Sequence, residues 1–272
     1  MNSKAINRQL LAAIAMVLVA AIALGSSTYA WFASNNKVEA NGMKITATTE
    51  GANLEISKSS AFTAGTIVVN DVATATGKLL PTHYVTADDK GETGKYKDNT
   101  AITTGSWAHA FSYEYDKVFG DTTYSDAKVV DAVGTLGDSA STTEWALVVP
   151  LYLRLNPQSK IQVENIKATA TITHTKGQGE TAVGMTTAGR VAFITDKDSK
   201  AVVGDKACAN NEQSEALFTI EKAGDAGMKT VYAVIYFDGD DASCTSANFA
   251  ADEYTVNLVF EGSMAGNKAV TA

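Results

Sequence analysis

Only three prolines, three histidines, three arginines and two cysteines occur among the 272 residues, and each scarcity removes a class of protein. Zinc hydrolases commonly set two histidines one helical turn apart with a glutamate between them. His83, His109 and His174 are scattered instead, and none has a partner at that spacing. No Gly-x-Ser-x-Gly nucleophile turn occurs, and the two cysteines are not spaced as a redox Cys-x-x-Cys pair. Arg8, Arg154 and Arg190 form no basic cluster, and the chain carries a formal net charge of −8, so phosphate backbones find no counterpart and nucleic acid is not expected as a partner. Charged residues make up only 19% against 45% hydrophobic, which is the profile of a folding chain rather than of a disordered one. Neither enzyme chemistry nor a cofactor is expected.

What the sequence does contain begins at its N-terminus. Lys4 and Arg8 precede a 15-residue apolar run, Leu10–Leu24, followed by Gly-Ser-Ser-Thr-Tyr-Ala. A short basic region, an apolar stretch and a small residue before a break is the layout of a secretory signal peptide, with cleavage expected between Ala30 and Trp31. The alternative is a retained helix over residues 10–32, long enough to enter a bilayer of ~30 Å, with Tyr29 and Trp31 at the interface. Gly25 to Thr28 break the apolar run before the aromatics, which favours cleavage. Contact with the membrane would then be confined to the uncleaved leader. Residues 1–30 carry two basic and no acidic groups, so the chain from Trp31 has 20 bases against 30 acids, a net charge of −10.

Beyond Trp31 the hydrophobic period is two rather than 3.6, the signature of strands. Met43, Ile45 and Ala47 alternate with polar residues, and the same pattern runs through Leu147–Leu155, Ile166–Ile172, Val231–Phe237 and Tyr254–Phe260. Turn-rich segments such as Asp88-Asp89-Lys90-Gly91, Gly224-Asp225-Ala226-Gly227 and Asp238-Gly239-Asp240-Asp241 separate them. The expectation is an all-β, jelly-roll-like antiparallel β-sandwich over residues 49–272, preceded by an N-terminal strand at 31–48. Pro150 interrupts the Leu147–Leu155 run, which predicts an edge strand or a bend there. A loop-rich insert spans about 63–143, and within it Trp107, Ala110, Phe111, Tyr115 and Val118 fall on one face of a predicted helix, Ser106–Phe119.

The stretch GSSTYAWFASNNKVEANGMKI, residues 25–45, resembles the TasA/camelysin family of Gram-positive bacteria. That resemblance implies processing by a dedicated SipW-type signal peptidase, a jelly-roll-like sandwich, and a place at the cell surface or in a biofilm matrix. It further implies polymerisation into filaments by lending the N-terminal strand to the next subunit. One branch of the family is classed as a metalloprotease, but the scattered histidines give that activity no footing here.

Three groups of residues are therefore candidates. Trp31 and Phe32 would open the mature chain, where large apolar side chains are costly to leave in water, and Val38, Met43 and Ile45 continue the alternation of a strand suited to subunit contact. The expected partner is a second copy of the chain, besides the signal peptidase. Cys208 and Cys244 in an exported chain read as a disulfide closing a loop of about 36 residues. Asp238, Asp240 and Asp241 place carboxylates close together in one turn, a weak calcium pattern that local backbone hydrogen bonding explains as well.

Overall fold

The computed structural model describes residues 37–45, 53–62, 73–74, 79–90, 100–109, 128–176, 187–241, 243–244 and 253–271. All of these belong to one unit, Asn35–Ala272. Its strands are β1 (Lys37–Ile45), β2 (Leu54–Ser57), β3 (Ala73–Thr74), β4 (His83–Tyr84), β5 (Trp107–His109), β6 (Lys128–Val129), β7 (Ser141–Thr142), β8 (Ala146–Leu155), β9 (Ile161–Lys176), β10 (Gly189–Ile194), β11 (Phe218–Ile220), β12 (Lys229–Phe237) and β13 (Glu253–Ala269). Short 3₁₀ turns lie between some of them, and among the described residues no helix is long and apolar enough to cross a membrane. The fold is all-β.

Two five-stranded sheets carry the main core. The first runs β11-β9-β13-β1-β3, the second β10-β12-β8-β2 with β7 also on β8. Alternation along the long strands sends one set of side chains between the sheets. Phe193 of β10 meets Phe260 of β13 edge-on at 6.3 Å, and Phe237 of β12 meets Tyr254 of β13 at 5.4 Å. Leu147, Val149, Leu151, Leu153 and Leu155 line this interior as their spacing predicts, all buried. Among the described residues, neighbouring strands are antiparallel with one exception, since β1 lies parallel to β13.

The second face of the β8–β12–β10 sheet is buried as well. Ala146, Val148, Ala192, Ile194, Tyr232, Val234 and Tyr236 form a further cluster with Tyr84, Trp107, Ala132, Val133 and Leu136 from the insert. A small sheet, β4-β5-β6, belongs to this third layer. Trp107 sits at its centre, 5.1 Å from Tyr84 and 4.9 Å from Tyr236.

Two expectations are corrected here. Trp107–His109 is a strand, paired with His83–Tyr84 on one side and Lys128–Val129 on the other, so the predicted helix does not begin at Ser106. Cross-strand pairing and the burial of Trp107 and Ala108 against a neighbouring layer outweigh the local helical spacing. Residues 110–119 of that helix lie outside the described residues. Nor is β8 an edge strand, because β12 pairs along it from Leu153 to Ala146 while β2 and β7 occupy its other side. Thr143 donates to the Ala146 carbonyl on the β7 side, and by the alternation of an antiparallel ladder the Pro150 nitrogen faces that same side. There β2 stops at Tyr152 and β7 at Val148, so the missing N–H falls in the gap between two short partners.

Candidate functional site

The N-terminal strand occupies a slot between β13 and β3. Its register runs from Lys37 opposite Glu253 to Ile45 opposite Phe260, with one shift between Ala40 and Met43 where Asn41-Gly42 intervene. On the other side, among the described residues, it is paired at Glu39–Thr74 and Ala40–Ala73. Val38, Met43 and Ile45 are in register with Tyr254, Leu258 and Phe260 respectively. Those three β13 residues are buried in the core, at 1%, 1% and 0% exposure, so this register lies over the interior. Ala30, Trp31 and Phe32 are outside the described residues, as is the strand's expected continuation over 46–48.

The cysteines depart from expectation. Cys208 and Cys244 are both free thiols, both buried. Cys208 is held by a two-way backbone bridge to Val191 on β10, at 2.9 and 3.0 Å, whereas Cys244 closes the turn after β12 through its N–H to the Asp241 carbonyl at 2.8 Å. Each is thus fixed by its own local hydrogen bonds. Burial pushes the Cys208 thiol up to about 11 and raises Cys244 well above the ordinary thiol value.

The acidic turn does not assemble as an aspartate triad. Asp238 lies against His83 and Arg190, with Nδ1 of His83 at 2.8 Å from Oδ1 and Nε of Arg190 at 3.5 Å from Oδ2. Asp241 takes a second Arg190 nitrogen at 2.8 Å and the Ser243 backbone N–H at 2.9 Å. Only Asp240 is directed elsewhere, into a group with His83 and Asp89 whose nearest ligand atoms all lie within 4.8 Å of one another.

That group was not expected, because its members come from separate segments. The strand-like segment Thr82–Tyr84 is laid beside the end of β12 by two backbone bonds, Thr82 N–H to the Phe237 carbonyl at 2.9 Å and Gly239 N–H to the Thr82 carbonyl at 3.0 Å. These place His83 at the Asp238 turn. The 3₁₀ turn at Asp88–Lys90 then returns Asp89 to the other side of the ring, where its Oδ2 is 3.0 Å from His83 Nε2. The Thr86 N–H and hydroxyl both donate to the same oxygen at 2.7 Å. Burial works against a charged imidazole, yet Asp238 and Asp89 outweigh it and raise His83 to about 10. Burial works upward on Asp89, but the bonds from His83 and Thr86 hold its carboxyl far below the usual range.

His109 takes no part. His109 lies 3.0 Å from the Pro81 carbonyl through Nδ1 and packs 5.0 Å from the Trp145 ring, while His174 is a β9 residue paired with Tyr254. A second ion network, the largely buried Arg154–Glu55 pair at 2.8 Å joined by the exposed Asp225, ties β8 to β2 and to the 3₁₀ turn before β12. The only hint of either network in the sequence is that two of the three arginines stand inside apolar strands, where a charge needs a partner.

No family model matches this chain, and neither does any curated protein or solved structure.

Proposed function

We propose that this protein is an exported structural subunit of a cell-surface or extracellular matrix assembly, performing no chemistry. The all-β body would adopt a jelly-roll-like arrangement behind a leader that is removed at Ala30–Trp31. Assembly would proceed by donation of residues 31–48 to a second copy, in the slot beside β13. The observation that carries this reading is the pairing of β1, the first described strand, in parallel with β13 over Lys37–Ile45, while among the described residues its other edge is paired at two positions. A strand so placed satisfies its ladder equally well in its own sheet or in a neighbour's, and exchange of an identical element is a low-cost route to association.

Mixed single-cysteine variants test this. Lys44 and Val259 are register partners, so protein carrying Lys44→Cys and protein carrying Val259→Cys are combined, allowed to assemble and oxidised. A crosslink between the two chains, absent when either variant is oxidised alone, is the expected result. A double variant that only ever crosslinks within itself, with no mixed product and no filaments by electron microscopy, would overturn strand donation. Sequencing the N-terminus of the native protein checks the leader separately, with Trp31 the expected first residue.

A further inference from the structure

We infer that His83, Asp89 and Asp240 form a binding site for a divalent transition-metal ion of the zinc type, one that fastens the insert to the β12 turn. The inference is independent of strand donation.

The geometry has the two shells such a site needs. One atom from each of the three side chains lies within 4.8 Å of the others, so a closure of under about 1.5 Å brings all three to the spacing of ligands bonded at ~2.0–2.2 Å to a single ion. Behind this first shell, Asp238 Oδ1 is 2.8 Å from His83 Nδ1. A carboxylate on one ring nitrogen sets the tautomer and turns the lone pair of the other nitrogen outward, the arrangement that metal-bound histidines share. Here that other nitrogen, Nε2, points at Asp89. Asp89 is itself positioned by both donors of Thr86, and Asp240 by its backbone N–H to Asp238 Oδ1 at 3.1 Å.

Charge points the same way. Asp89, Asp238, Asp240 and Asp241 surround two bases, His83 and Arg190, so these six groups sum to two negative charges even with the imidazole protonated. His83, Asp89 and Asp238 are each buried to 8% exposure, where a bound ion is shielded from water. The donor set selects the kind of ion. One imidazole and two carboxylates suit zinc and its neighbours, whereas calcium takes an all-oxygen shell of six to eight ligands.

The test is titration of the full-length protein, first stripped with a chelator, with zinc and with cobalt(II). One equivalent of zinc should bind and raise the midpoint of thermal unfolding, and cobalt(II) should give visible absorption bands that zinc abolishes. His83→Gln and Asp240→Asn should lose the binding, while Asp238→Asn should weaken it roughly 10–100-fold by freeing the ring. Should His83→Gln fail to fold, Asp240→Asn and the cobalt spectrum decide alone. Absence of stoichiometric binding, binding undiminished in Asp240→Asn, or an equal response to calcium would each overturn the assignment.

Discussion

His83 Nδ1 stands 2.8 Å from Asp238 Oδ1, and through this contact the insert is joined to the turn at the end of β12. Neither residue's sequence neighbourhood suggests the other, since 155 positions separate them. Removing one member of a buried charge pair typically costs about 3–5 kcal/mol. Here Asp238 keeps Arg190 and Asp89 keeps Thr86, which places the loss at the lower end. His83→Ala in metal-free protein is therefore expected to lower stability by that order in urea unfolding. A loss under about 1 kcal/mol would show the pair to be dispensable.

Gly227 is the second sensitive point. It closes the 3₁₀ turn Gly224–Gly227, and a Cβ built on it would lie 1.9 Å from the Lys222 carbonyl oxygen. The obstacle is backbone and cannot swing aside as a side chain would. Gly227→Ala should cost roughly 1–3 kcal/mol or more, measured by the same unfolding curve, whereas Gly137→Ala, with open space around its Cβ, should be close to neutral.

The thiols give a chemical prediction. With both cysteines free and buried, native protein at neutral pH should alkylate slowly, and protein denatured without reductant should take up two alkyl groups. Mass spectrometry reads both. A denatured protein that takes up none would carry the Cys208–Cys244 bond that the exported sequence suggests.

Tyr152 sets an alkaline limit. Burial, and then the hydrogen bond from its hydroxyl to Asp138 Oδ1 at 2.9 Å, push its phenol up to about 12 from an ordinary value of 10.0. Because the folded state favours the neutral phenol, this stabilisation is complete below pH 10 and is lost as pH rises through about 12. The ultraviolet phenolate signal of Tyr152 should appear late in an alkaline titration. In Asp138→Asn it should move to lower pH, because the carboxylate charge that opposes ionisation is gone.

The alternation of β8, β12 and β13 made the main core legible from residue order alone, down to Leu147, Val149, Leu151, Leu153 and Leu155 on one face. The opposite face of β8 was not legible, because Val148 and Tyr152 are buried by a layer drawn from a segment without long strands. Trp107 shows why. Its helical spacing is local information, while the Tyr84 and Tyr236 rings that enclose it come from 23 positions before and 129 after. Val38, Met43 and Ile45 were correctly read as strand residues, yet nothing in their order signals that β1 runs parallel to β13. The His83 group was invisible for the same reason as Trp107, since tertiary pairing at Thr82 brings His83 and Asp89 to Asp238 and Asp240.

A sheet protein must also avoid pairing where it should not, because a long open edge accepts any passing strand. Pro150 bears on this. By withholding a donor midway along β8, it keeps β2 and β7 as separate stubs and denies that flank a continuous ladder. Any strand arriving there from another molecule would meet the same vacancy and gain little. The proline thus acts as a sentry on one flank of the molecule, while the run of β13 from Glu253 to Phe260 accepts a strand with a single shift in register.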